Sequence, residues 1–278
     1  MKTTEQEKKS KQEKSESNVK WWMEEYGFFG SLYMDGDKSH EGYLSSQVQT
    51  LEERTSIEAR GVISLLQLQS NMKLLDCPCG YGRHSNFIAS KGIDVVGGDI
   101  NSIHLNKAIE QAKEMGVSTT FQKMNMLNIN YSNEFNAIIN MFYSFGFFDT
   151  DEENFKVLKN FYQALKPDGK FLMHTDVNIP RVLEGDYKFC DERTLASGNK
   201  LEQIDRYDPV TKRMNGTWKI INPDGANKKA DYSVRVYTKE EFVELCFKAG
   251  FRKVEVYSDW EGSDYKSTSE DMIIIAIK

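Results

Sequence analysis

The sequence predicts a doubly wound α/β fold with a mostly parallel sheet of seven strands, on three observations. From residue 72 onward short apolar runs alternate with amphipathic stretches, the rhythm of strand–helix–strand crossovers. The first run, L-L-D at 74–76, breaks into a tight turn, C-P-C-G-Y-G-R-H at 77–84. A later run, V-V-G-G-D, ends in a second aspartate, Asp99.

The elements follow in order. Residues 1–18 are almost wholly Lys, Glu, Gln, Ser and Thr, too polar to offset the entropy of ordering, so a frayed tail is expected. Residues 19–70 open on W-W-M-E-E-Y-G-F-F-G-S-L-Y-M and continue at helical spacing through Leu51, Ile57, Val62, Leu65 and Leu66; a helical, aromatic lid is expected. The α/β core is placed at 71–180. Its strands are expected at Lys73–Cys77, Asp94–Gly97, Thr119–Gln122, Ala137–Met141 and Lys170–Thr175, with helices near 84–91, 101–115 and 152–165. In L-K-P-D-G-K-F, Pro167 is expected to end the third helix and Gly169 to turn the chain into a strand. Residues 181–237 break the rhythm, and the D-P-V-T-K and N-P-D-G turns predict an insertion of two or three antiparallel strands. Residues 238–278 return to the core, with a helix capped by Thr238 and stopped at Gly250, then strands Lys253–Tyr257 and Met272–Ile277.

Bulk properties narrow the function. A net charge of −6 opposes a protein that grips nucleic-acid backbones. Nowhere do eighteen apolar residues run together, so no membrane span is expected. The four cysteines form no framework and no signal-like segment opens the chain, which predicts a cytoplasmic protein with reduced thiols.

The turn at 77–84 admits a metal or a ligand. Cys77 and Cys79 stand two apart, not at C-x-x-C spacing, and no second Cys or His pair follows; no metal is expected. A ligand fits better. A strand ending in Asp76, then Gly80 and Gly82, then a helix make a nucleotide-binding unit in which bare backbone approaches the ligand. Asp99, at the next strand end, suits ribose hydroxyls; capping the following helix is its other role.

D-C-P-C-G-Y-G with Asp99, K-M-N-M-L, E-F-N-A-I-I-N-M-F and L-K-P-D-G-K-F resembles, in the right order, the class I S-adenosylmethionine-dependent methyltransferases. Pro78 stands where their first glycine usually does, Asn136 where an aspartate does, and Asp168 where a glycine does. The resemblance implies a Rossmann-like sheet, S-adenosyl-L-methionine as cofactor, and methyl transfer to an N or O atom of a small molecule. It implies cofactor binding by Asp76, Pro78, Cys79, Gly80, Gly82, Asp99, Ile100, Asn125, Met126 and Asn140. A pyrophosphate binder would want G-x-G-x-x-G, and position 85 is Ser85. A nicotinamide-dependent oxidoreductase and a non-catalytic scaffold of the same fold are the alternatives.

The acceptor should lie outside the C-terminal strand ends. Tyr33, Tyr143, Ser144, Arg206 and Trp218 are its candidate contacts, with Phe142 and Phe145 as walls and Arg83 as a second candidate for the cofactor's carboxylate. Ordinary packing is the competing role for each. His174 and Asp176, at the end of the fifth core strand, are the candidate base or polar contact. The insertion is read as substrate wall or homodimer contact, and the partner as a small molecule, with no nucleic acid and no membrane.

Overall fold

The computed structural model describes residues 20–24, 27–37, 50–195 and 197–278; the expected tail at 1–18, and residues 19, 25, 26 and 38–49 of the expected lid, lie outside them. Among the described residues, helices α1 (Ser31–Asp37) and α2 (Leu51–Leu66) come first. Alternation then begins: β1 (Lys73–Asp76), α3 (Arg83–Ala89), β2 (Asp94–Asp99), α4 (Ser102–Met115), β3 (Thr120–Lys123), β4 (Phe135–Asn140), α5 (Asp151–Ala164) and β5 (Leu165–Thr175). A short α6 (Ile179–Val182) leads to β6 (Lys188–Thr194), β7 (Lys200–Asp208), β8 (Arg213–Ile221) and β9 (Asn227–Arg235). The chain closes with α7 (Lys239–Ala249), β10 (Lys253–Tyr257) and β11 (Met272–Ile277).

Seven of these strands form one sheet in the order β10–β11–β5–β4–β1–β2–β3. Only β11 runs antiparallel to its neighbours; the other pairs are parallel. The inner strands are covered on both faces, so Leu74 and Leu75 of β1 are both fully buried instead of alternating in and out. Because β1 pairs with β2 on one side and β4 on the other, the winding reverses there and a crevice opens at the carboxyl ends of these strands. That is where the turn at 77–84 lies.

Two expectations need correcting. Helix α5 ends at Ala164 and β5 begins at once, ahead of Pro167. Proline pushes the residue before it out of the helical region, and Asp168, not Gly169, takes the left-handed conformation (φ +63°). The insertion has four strands, not two or three: β6–β7–β8–β9 form a separate antiparallel sheet. Strand β6, K-F-C-D-E-R-T, is a half-exposed edge with little apolar content, so its pattern is weak in the sequence.

Residues 20–24 and 27–37 bridge the two sheets. Asn101 Nδ2 donates to the Phe29 carbonyl (2.7 Å) and the Ser102 amide donates to Glu24 Oε1 (2.9 Å), fixing the segment to the start of α4. On its other side Phe28 packs edge-on against Trp218 of β8, and Phe29 and Trp21 meet Phe147. Among the described residues no helix is long and apolar enough to cross a membrane.

Candidate functional site

The crevice is shaped by the turn. Gly80 adopts φ +54°, and its amide donates to Asp99 Oδ2 at 2.9 Å. A Cβ added to Gly80 would meet nothing within 4 Å, so the turn presents bare backbone to open space. Asp99 Oδ1 also accepts from the Asn101 amide (2.8 Å), and Asn101, not Asp99, caps α4 through Ile103 and His104. Gly82 has another purpose. Its Cβ would lie 2.6 Å from that of Ala108, so it lets α3 pack close to α4.

One hollow occupies the crevice, and all the residues expected at the cofactor line it except Gly82 and Asn140. Asn125 caps a short 3-10 turn, accepting from the Leu127 amide (2.9 Å), and so presents Met126 at the hollow's edge. Asn140 is fully buried. Its Nδ2 donates to the Cys77 carbonyl (2.9 Å), so it holds the turn in place from behind. Cys77 and Cys79 are buried free thiols whose pKa values burial pushes well up.

Charge is divided across this hollow. At one side lie Asp76 and Asp99. Burial pushes the Asp76 carboxyl up to about 7, although Ser85 Oγ donates to it at 2.5 Å; burial likewise raises Asp99. At the other side Arg54 and Arg83 converge on Glu58. Arg83 Nη1 lies 2.6 Å from Glu58 Oε2 and Arg54 Nε 2.7 Å from Oε1. Burial alone would raise the Glu58 pKa, but the hydrogen bond from His84 and the guanidinium charges outweigh it and hold the carboxylate ionised. Burial, and then the charge of Arg83, lower His84 to about 4, so its neutral ring donates from Nε2 to Glu58 Oε2 (2.9 Å).

Phe142 closes this group. It and Tyr143 take left-handed backbone conformations (φ +54° and +53°), which cost about 1–3 kcal/mol each for side chains of this size. The Phe142 ring meets both guanidiniums, 4.7 Å from Arg54 and 4.4 Å from Arg83, and such contacts offset part of that cost.

A second hollow adjoins the first and shares Phe29, Tyr33 and Phe142 with it. Tyr143, Trp218 and Asp176 line it. Asp176 meets Arg54 Nη2 at 3.3 Å, so one ion pair joins the two hollows. The other residues suggested for acceptor or catalysis fall elsewhere. Ser144 lines the first hollow, its Oγ donating to the Met141 carbonyl (2.7 Å). Arg206 lies along a separate open groove on the four-stranded sheet. His174 is 1% exposed and lines none of these hollows; it packs among Phe142 and Trp260, with Asp271 at 3.7 Å. Sequence reasoning missed Arg54, Glu58, Gln203 and Asp205. Inward polar positions on β7, alternating from buried Leu201 to Gln203 to Asp205, were the available signal for the last two.

Comparison with known proteins agrees with this geometry. A family model described as a methyltransferase domain matches residues 74–169. Glycine/sarcosine N-methyltransferase of Halorhodospira halochloris is 24% identical over 264 residues, covering 90% of this chain and 94% of that protein. The CcbJ methyltransferase of Streptomyces caelestis superposes with a TM-score of 0.70 at 16% identity, over 79% of this chain and 88% of its own. The S-adenosylmethionine-bound amino pentose methyltransferase CalS10 of Micromonospora echinaspora does so at 0.61 and 18% identity, over 80% and 90%.

Proposed function

The chain is a class I S-adenosylmethionine-dependent methyltransferase, with its methyltransferase domain at residues 74–169, and we propose that it methylates the nitrogen of a small amine held in the second hollow. The observation that carries this reading is the shared wall of Phe29, Tyr33 and Phe142 between the two hollows. A methyl donor in the first then faces an acceptor in the second. The name of two relatives, glycine/sarcosine N-methyltransferase, favours nitrogen.

The residues of the first hollow fit the cofactor. Bare backbone at Gly80 admits a ligand that any Cβ would obstruct, and Asp99 suits ribose hydroxyls. Asp76, a carboxylate whose pKa burial raises, suits the ammonium of the amino-acid tail, and Arg83 and Arg54 suit its carboxylate. S-adenosylmethionine, when bound, supplies an electrophilic methyl group on a sulfonium.

The chain's own task is to hold, orient and dry the reactants. Alignment of nucleophile and methyl carbon is worth roughly 7–11 kcal/mol. An amine enters as ammonium and must shed one proton to expose its lone pair. Asp176, half-buried beside the shared wall, takes that proton and passes it to water. With the cofactor bound, transfer would form the new N–C bond as the C–S bond breaks, the bonding pair leaving on sulfur. Ammonium and sulfonium thus become methylammonium, thioether and one released proton. An alcohol would need a stronger base, and neither His nor Lys lines this hollow among the described residues.

The test is to incubate the protein with S-adenosylmethionine and matched amine and alcohol panels, reading S-adenosylhomocysteine and methylated product by mass. Amine products are expected. Methylation of alcohols alone would refute the nitrogen assignment.

A further inference from the structure

If the second hollow is the acceptor's, as proposed above, its charged groups decide what an acceptor must look like. Asp176, Asp205 and Glu270 border it, while no Lys, Arg or His side chain does among the described residues. Arg54, whose guanidinium meets Asp176, lines the other hollow and is already engaged by Glu58 and Asp176.

Asp205 is the most buried of the three carboxylates, 7% exposed. The Tyr232 hydroxyl donates to its Oδ1 and Gln203 Nε2 to its Oδ2, both at 2.7 Å. That leaves Gln203 Oε1, buried and without a partner among the described residues, as a further acceptor beside it. The arrangement is built, not incidental. A Cβ on Gly216 would lie 2.0 Å from the Tyr232 ring and 2.5 Å from Asp205 Oδ1, so this glycine makes room for the pair to meet. Aromatic faces surround it: Tyr33 stacks on Trp218 at 5.7 Å, and Phe28 lies 4.5 Å from Tyr232.

We propose that Asp205, with the carbonyl of Gln203 and the rings of Tyr33, Trp218 and Tyr232, forms a cation-recognition site that restricts the acceptor to small amines bearing no carboxylate, and so excludes free amino acids such as glycine. An ammonium group gains a carboxylate, an amide carbonyl and π-faces. A carboxylate on the acceptor meets the carboxyl groups of Asp176, Asp205 and Glu270, with no cationic side chain lining the hollow among the described residues, a repulsive element that sets specificity. Burial raises the Asp205 pKa, and a bound cation favours the ionised form. Asp205 is a specificity residue; deprotonation of the reacting nitrogen belongs to Asp176.

Two measurements test this. Trp218 forms part of the wall, so its fluorescence follows occupancy. The protein with S-adenosylhomocysteine bound is titrated with benzyltrimethylammonium, which cannot be methylated, and with benzoate. Saturable binding of the cation alone is expected, weakened at least about tenfold in Asp205→Asn, whose unchanged affinity for S-adenosylhomocysteine certifies its fold. Binding of benzoate as tight as that of the cation, or unaltered cation binding in the variant, overturns the proposal. In turnover, 2-phenylethylamine is set against L-phenylalanine, and ethylamine against glycine. At least about a tenfold preference in kcat/KM for each amine is expected, and Asp205→Asn should raise KM more than it lowers kcat. A preference for glycine overturns the cation site but leaves N-methylation standing. Methylation of alcohols alone, with cation binding intact, overturns the nitrogen assignment and leaves the site.

Discussion

Asp76 is a carboxylate that burial has pushed from an ordinary value of 3.8 up to about 7, and that shift fixes a pH dependence. Its protonated form is favoured in the folded protein, so the fold without cofactor loses stability as pH rises between these two values. An ammonium beside it favours the ionised form. Affinity for S-adenosylmethionine should therefore fall as pH drops below about 7, by up to about tenfold per unit. Asp76→Asn should bind more weakly at pH 8 and lose the slope, which calorimetry across pH 5.5–8.5 would show. Asp76, Gly80 and Asp99 were legible in the sequence because a turn needs its special residues at fixed local offsets. Asn140 was legible as important but not in its role, since whether it faces the ligand or the carbonyl of Cys77 depends on how β4 sits beside the turn. Asp176 was legible at a strand end, whereas its pairing with Arg54 joins residues 122 positions apart and leaves no local pattern.

At the scale of elements, α2 is a second anchor for the site. Thr50 and Glu53 close a capping box at its start, worth about 1 kcal/mol. One turn further in, Glu58 binds Arg54 of the same helix, and Arg83 and His84 of α3. Glu58→Gln removes the buried anion and leaves two cations facing each other, which should cost about 3–5 kcal/mol in urea unfolding at pH 7. A loss under about 1 kcal/mol would show the network to be dispensable. Helix starts such as Thr238 could be read directly, because capping chemistry is written in adjacent residues. Strand β6 could not, because an edge strand needs no apolar stripe to pair with β7.

Across the whole molecule, the N-terminal segment ties the parallel sheet to the four-stranded one. Phe28 and Leu32 share a buried cluster with Leu201 and Trp218, while Phe29 and Tyr33 face both hollows. Deleting residues 1–35 should abolish turnover and weaken S-adenosylhomocysteine binding by at least about tenfold. Among the described residues, no strand of the parallel sheet or helix packed on it begins before residue 51, so far-UV circular dichroism should retain its α/β signature. A truncate with full activity would contradict the assigned walls.

Those common walls carry an evolutionary consequence. Phe29, Tyr33 and Phe142 act as a partition between two chambers, so trimming any of these rings resizes both. On the proposed assignment, a change that admits a bulkier acceptor by trimming one of these rings would also loosen the grip on the nucleoside, and diversification toward new acceptors would be steered instead to positions that touch a single chamber, such as Tyr187 and Phe189.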